Sequence, residues 1–324
     1  MTTALNIAGF WRRAGAFVVD TLLLSILGWI LGALFYATFA KMGSYGRAIG
    51  FFVEMAYFVP LDSRLGRGQT WGKRLLGLQV VDADGQCLSM PRTLLRYAVL
   101  GVPFYLNGFF LPAPGSNSAA LIAVSSVISL IVFGGLLSLC YLYLFNRHTR
   151  QSLHDLAARS YVVRTHAQST RSLQPVWHGH LIVVGLIGLL SLAAPLVFSH
   201  ASAALTTELA KLQPAWRQLE MLPNVQHAQL TEGSANNNGQ QIYYMSVTLW
   251  LNVPDENDEA LAKDAARTVA SHNATDTRQD LILVQLIYGY DIGIASTWRK
   301  RAYRFNPKEL QALADQNNPA NPGD

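Results

Sequence analysis

Cysteine is nearly absent from this chain: two residues in 324, Cys87 and Cys140. Cys140 stands inside an apolar run and Cys87 in a polar loop, and neither belongs to a metal or redox spacing. A disulfide framework is therefore excluded, and both residues read as free thiols. Charge is also scarce, at 14% of residues against 51% apolar ones, and it is unevenly placed. Residues 1–200 carry 15 basic and 6 acidic side chains, whereas residues 201–324 carry 10 and 14. The basic character belongs to the first part alone. Proteins that bind nucleic acid cluster Lys and Arg on one soluble face. Here the basic residues punctuate long apolar runs, as they do in the cytoplasmic loops of membrane proteins. The pattern argues against nucleic acid as a partner and for a lipid bilayer. A catalytic set is missing too, so the chain is not read as an enzyme and no cofactor is implied.

About 20 mainly apolar residues are needed to cross a bilayer as a helix. Ala14–Ala40 is the first such run, entered through Trp11, Arg12 and Arg13. It is too long for the core of a signal peptide and carries Asp20, so it is expected to stay in the protein. Four more runs follow: Gly46–Leu61, which contains Glu54; Tyr97–Leu111, weakened by Pro103 and Asn107; Ala119–Phe145; and Leu181–Phe198. Pro112 to Ser118 makes a turn between the third and fourth. The N-terminus and the loops 62–96 and 146–180 hold 13 of the 15 basic residues of this part, which places all three in the cytoplasm. Five crossings then put residues 201–324 outside it.

Three segments carry a resemblance. Phe10-Trp-Arg-Arg-Ala-Gly-Ala-Phe-Val-Val-Asp20 opens the first run, Gly68-Gln-Thr-Trp-Gly-Lys-Arg74 and its continuation to Gly85 lie in the first basic loop, and Gln151-Ser-Leu-His-Asp155 to Val163 follows the fourth run. In this order and spacing residues 8–165 resemble the RDD family of bacterial membrane proteins, named for one arginine and two aspartates. The resemblance implies Arg13, Asp20 and Asp155 as the named residues, and a bacterial cytoplasmic membrane as the location. It also brings the suggestion of cation/proton exchange made for some members. Trp71 departs from the proline or leucine more usual there. The division expected is an RDD-like part over 1–165, a cytoplasmic linker over 166–180, a further membrane helix over 181–200 and an extracytoplasmic (periplasmic) domain over 201–324.

Arg13 and Asp20 lie seven residues apart and so share one face of the first helix. A bare carboxylate at that depth costs a few kcal/mol or more (~3 on insertion scales), so Asp20 must be protonated, paired or facing a hydrated cavity. Ion handling is one reading, and an ion pair with Arg13 or with Arg96 is the plain alternative; Glu54 poses the same choice. Asp155 is expected to cap a helix N-terminus or to pair with Arg13 or Arg159 in a clasp between distant segments. Its neighbour His154 points elsewhere on a helix and forms no dyad with it by spacing. The loop motif Gly68, Gln69, Thr70, Gly72, Lys73, Arg74 fails as a phosphate loop, because Arg67 and Arg74 replace a required glycine and hydroxyl. It reads as a turn into an amphipathic segment, with Lys73 and Arg74 near anionic headgroups. Leu78–Val81 and Gln86–Ser89 read as a small hairpin. His178 and His180 flank the last run and lack further ligands for a metal.

In the C-terminal part a helix is expected over Thr206–Leu222, strands over Val225–Leu230 and Gln241–Val253 around a flexible Gly233–Gly239, and a helix from Pro254 to Ser271. A hairpin of Leu281–Tyr288 and Ile294–Arg304 and a last helix from Pro307 to Ala314 complete a β-β-α-β-β pattern. The fold class expected is thus a membrane bundle of about five helices plus a small α+β domain with an antiparallel sheet. Tyr288, Tyr290 and Trp298 stand as either a partner surface or core. Two functions stay open: transport of protons or small cations through intramembrane carboxylates, for which a homo-oligomer would supply the pathway, and a membrane-anchored module whose outer domain binds a protein or envelope partner.

Overall fold

The computed structural model describes residues 5–107, 119–165, 175–201, 203–237, 240–272 and 280–310. The turn expected at Pro112–Ser118, most of the 166–180 linker and the end of the last helix lie outside them. In chain order the elements are α1 (Phe10–Leu34), α2 (Tyr36–Met42), α3 (Arg47–Asp62), α4 (Trp71–Leu75), β1 (Leu78–Val81), α5 (Met90–Leu106), α6 (Ala119–Ser129), α7 (Gly135–Phe145), α8 (Leu153–Ala157), β2 (Tyr161–Arg164), α9 (His178–Ala201) and α10 (Ala203–Glu220). There follow β3 (Val225–Asn237), β4 (Gln240–Leu251), α11 (Glu259–His272), β5 (Leu281–Asp291) and β6 (Ser296–Phe305). Two compact units result: residues 1–30, 47–203 and 292–295 form one, and residues 31–46, 204–291 and 296–324 the other.

The first unit is built of apolar helices, the form in which a chain satisfies its own backbone groups where water is absent. Among the described residues three helices are long and apolar enough to cross a membrane: Phe10–Leu34, Ala119–Phe145 and His178–Ser199. The other two expected spans appear as shorter helices, α3 with 16 residues and α5 with 17. Helix α5 starts seven residues before Tyr97, after Ser89 and with Pro91 in its first turn, where a missing N–H costs no hydrogen bond. Helices α6 and α7 are joined by a π-helical turn, Leu130–Gly134. There Ser129 Oγ donates to the Ser191 carbonyl of α9 at 2.6 Å.

The expected hairpin of Leu78–Val81 with Gln86–Ser89 does not form. β1 pairs antiparallel with β2 instead, from Leu78 opposite Arg164 to Val81 opposite Tyr161. The segment Tyr161-Val-Val offers β-branched and aromatic residues suited to a strand, and Gln86–Ser89 does not. Ile7 adds a bridge to Val163. Leu78, Val80, Leu88 and Val162 close a small core beneath α1, together with Ala8 and Ala16.

In the second unit the strand order is β3-β4-β5-β6. The sheet is mixed and not antiparallel as expected, because β4 and β5 run parallel. The reason is α11, a crossover helix between them; strands joined over a helix lie parallel, and only the outer pairs are hairpins. The segment expected as a flexible loop from Gly233 is strand as far as Asn237, which pairs with Gln240. The signal overlooked is Asn238-Gly239, the dipeptide most favoured between hairpin strands; these two residues lie outside the described ones. Met245, Val247, Leu249 and Leu251 alternate inward from β4 against Leu261, Ala265 and Val269 of α11. Asp258 caps α11 by accepting from the Leu261 N–H at 2.9 Å, so the helix begins later than Pro254. Tyr288 and Tyr290 are buried, with their rings against Tyr36, while Trp298 stays partly exposed.

Candidate functional site

Asp20 is 1% exposed, two helical turns beyond Arg13 on α1. The structure pairs it with neither Arg13 nor Arg96. Three neutral donors hold it: the Tyr57 hydroxyl at 2.6 Å, the Thr70 hydroxyl at 2.5 Å and the Gly72 N–H at 2.7 Å. Thr70 also caps α4, accepting from the Lys73 N–H. Gly72 must be glycine, since a Cβ there would lie 2.2 Å from the Ala16 carbonyl oxygen. The glycine thus lets α4 lie directly on α1 and point its amide at the carboxylate. Gly68, with φ +67°, closes the loop before it, where a Cβ would meet the Val80 carbonyl at 2.4 Å.

A chain of ion pairs runs beside this carboxylate. Arg13 donates to Asp155 Oδ2 at 2.6 Å and also to the Arg150 carbonyl. Arg96 donates to Asp155 Oδ1 at 2.9 Å and to Asp62 Oδ2 at 2.7 Å. Lys73 Nζ completes the chain on Asp62 Oδ1. Asp155 also closes a capping box at the start of α8 with Ser152. It therefore both caps a helix and clasps Arg13, while Arg159 is exposed, its carbonyl accepting from Arg92. Three acids and three bases balance in this cluster.

His154 does turn to its neighbour, with Nε2 3.4 Å from Asp155 Oδ1, contrary to the expected divergence. Burial pushes its imidazole down to about 3, so the ring is neutral at neutral pH. Burial would raise the Asp155 carboxyl, but His154, Arg13 and Arg96 outweigh it and hold it below the usual carboxylate range. Lys73 turns inward, its side chain 11% exposed and paired with Asp62. It is buried, and that burial lowers its hold on a proton despite Asp62. Arg74 does reach outward, its guanidinium lying over the Trp71 ring at 5.1 Å.

A cavity of about 370 Å³ opens onto this cluster. Arg13, Asp20, Asp62, Lys73, Arg96 and His154 form its polar floor, and Phe17, Leu100, Leu139 and Tyr143 are among its apolar walls. Residues 7–159 match the RDD family. This part of the chain is an RDD domain. The match begins before Arg13 and ends after Asp155, so it takes in every member of the cluster. No curated protein and no solved structure matches the chain.

The other sequence candidates fall elsewhere. Glu54 of α3 faces Tyr97, whose hydroxyl lies 3.4 Å away, and does not line the cavity. Gln69 braces the RDD loop by donating to the Leu78 carbonyl at 2.7 Å. His180 contacts the Tyr141 hydroxyl at 3.0 Å. Asp62, Tyr57 and Tyr143 are the members that sequence reasoning missed. Asp62 had a legible signal, an acid closing an apolar run just as Asp155 follows one.

Proposed function

We propose that the RDD domain is a cation/proton exchanger of the bacterial cytoplasmic membrane, with the Lys73–Asp62 pair as its proton-bearing element. The observation that carries this reading is a buried, weakly held ammonium beside a carboxylate at the floor of a cavity. Asp20 is committed to three donors and Asp155 to two arginines, whereas Asp62 can exchange one partner. A cation that takes Asp62 Oδ1 displaces Lys73, which then releases its proton. One bound cation is thereby traded for one proton.

The proposed topology has five crossings, an N-terminus in the cytoplasm and a periplasmic C-terminal domain. Asp62, at the end of α3, and Arg96, two turns into α5, belong to the cluster that holds Arg13. Residues 31–46, from the last turn of α1 onward, belong to the compact unit that also holds residues 204–291, and Gln226 donates to the Lys41 carbonyl at 2.7 Å. The passage is a short one for α3, since a helix of 16 residues covers only about 24 Å against the ~30 Å of a bilayer core.

The test is dissipation of a pH gradient in proteoliposomes on adding Na⁺, K⁺ or Li⁺. Proton movement that Lys73→Met abolishes, and that a correctly inserted Asp20→Asn protein also lacks or retains only weakly, supports exchange. No movement from well-inserted wild type overturns it. A second reading, a membrane-anchored binding module, draws on β6: this edge strand exposes Arg299, Lys300, Arg301 and Arg304. Such charges resist strand addition and suit an acidic partner. If Arg299→Glu with Arg301→Glu leaves binding to anionic vesicles and acidic peptides unchanged, that reading fails.

A further inference from the structure

The cavity above the RDD cluster offers a small inorganic cation few ligands, and its apolar walls suit a larger cation better. A small inorganic cation takes about six oxygen ligands at short range. Among the described residues no three His, Cys, Asp or Glu side chains converge to hold a metal. The acids that line the cavity, Asp20 and Asp62, already accept hydrogen bonds from other groups. Its walls are mostly apolar, with Phe17, Leu100, Leu139 and Tyr143 standing over the charged floor. Phe17, Val18 and Cys140, which also line it, are exposed on the helices. The ligand that such a space suits has an apolar body and one small polar end.

The floor specifies that end. Asp62 already binds an ammonium, that of Lys73, so a second ammonium would repeat a contact the site is built to make. His154 lines the same cavity, and its buried Nδ1 has no hydrogen-bond partner. Its Nε2 faces the Asp155 carboxylate and so carries the proton, which leaves a bare lone pair on Nδ1. A buried acceptor without a donor is destabilising. An N–H from a ligand would satisfy it.

We propose that the RDD cavity binds an amphipathic primary ammonium ion, its N–H groups on Asp62 and His154 Nδ1 and its hydrocarbon chain between α1, α5 and α7. The proposal rests on the exchange reading and gives it a substrate class. Binding displaces Lys73 from Asp62, and Lys73 yields its proton to solvent while the ligand keeps its own charge. Facing Lys73 are Asp62 on α3, Arg96 on α5, Asp20 on α1 and His154 on α8. None of these other groups takes up the released proton, since the ligand's N–H groups occupy Asp62 Oδ1 and His154 Nδ1 and the other acids keep their donors. Affinity therefore rises with pH, by up to tenfold per unit, while the unoccupied site keeps Lys73 protonated.

The experiment is calorimetric titration of the full chain in lipid nanodiscs, with empty nanodiscs subtracted, using hexylamine, hexanol, hexyltrimethylammonium and NaCl. Two buffers of different ionisation enthalpy count the protons released. Hexylamine is expected to bind saturably with release of a proton. Hexyltrimethylammonium, which has no N–H, and the His154→Phe protein with hexylamine are each expected to bind at least tenfold more weakly. Hexanol binding as tight as hexylamine would mean that only the tail is recognised and would overturn the proposal, a comparison that needs no variant. Failure of hexylamine also overturns it. Exchange itself stands in that case if Na⁺, K⁺ or Li⁺ still drives protons in proteoliposomes, and falls with it if none does.

Discussion

Arg13 and Asp155 are 142 residues apart and meet at 2.6 Å with almost no exposure to solvent. This pair ties the first helix of the RDD domain to α8, the short helix near its end. Removing one partner of a buried pair strands the other charge, at a cost of ~3–5 kcal/mol, whereas a matched apolar replacement of both costs much less. Asp155→Asn would strand Arg13 and leave Arg96 with Asp62 as its one remaining carboxylate. It is expected to destabilise the protein by at least that amount and to reduce the membrane-inserted yield. Arg13→Met in the Asp155→Asn background should then cost little more. Urea or thermal unfolding in detergent measures the cycle, and additive losses would show that the two residues are not coupled.

His154 gives the cluster its sensitivity to acid. Its folded imidazole titrates at about 3, below an unfolded value near 6.5. The folded state therefore binds fewer protons, and this contribution is fully present above pH ~6.5 and lost as the pH falls towards 3. Between pH 7.5 and 5 the loss from this residue is about 2 kcal/mol. Asp155, held low by its cations, adds its own loss only below about pH 4. The His154→Phe protein is expected to show a flatter decline in unfolding free energy from pH 7.5 to 5. An unchanged slope would mean that His154 is not buried neutral.

Contact between α4 and α1 depends on the missing side chain of Gly72. A Cβ at this position would stand 2.2 Å from the Ala16 carbonyl oxygen and 3.0 Å from Asp20 Cγ. Gly72→Ala should push α4 away, loosen the N–H bond to Asp20 and destabilise by ~1–3 kcal/mol. Gly185→Ala on α9 is the control, because nothing lies within 4 Å of a Cβ there. In a helix interior that change is neutral or stabilising by up to ~1 kcal/mol. Hydrogen exchange separates the cases: the Gly72 segment should lose protection in the first variant alone.

Much of this architecture can be read from residue order. Apolar runs and the three motifs give the helices and the RDD domain, since burial of apolar sequence in lipid leaves the backbone little choice but helix. The partners of Asp20 were not legible, because Tyr57, Thr70 and Gly72 are an uncharged phenol, a hydroxyl and a backbone amide, which carry no charge to match. Charge alone suggested an arginine. The parallel β4–β5 pair was missed for a different reason. A polar helix between two strands fits either an antiparallel connection or a crossover, and only the register of Tyr244 against Leu281 settles it.

The proposed five-crossing topology makes the sharpest demand on the chain, because α3 and α5 are short. Single cysteines placed in a protein lacking Cys87 and Cys140 test it with a membrane-impermeant maleimide on spheroplasts. Lys41, Asp84 and Glu232 are exposed positions after α1, in the first basic loop and on β3. Lys41→Cys and Glu232→Cys are expected to label in intact spheroplasts, and Asp84→Cys only after permeabilisation. Labelling of all three from outside would mean that α3 does not cross, leaving three spans and removing Lys73 and Asp62 from the cytoplasmic face. Labelling of Asp84→Cys alone would reverse the orientation, against the distribution of Arg and Lys among the loops. The reversed orientation would leave the ion-pair chain intact as a clasp, whereas three spans would part Asp62 and Arg96 from Asp155 and contradict the cluster itself; both deny the exchanger its proposed direction, so this labelling comes before any measurement of flux.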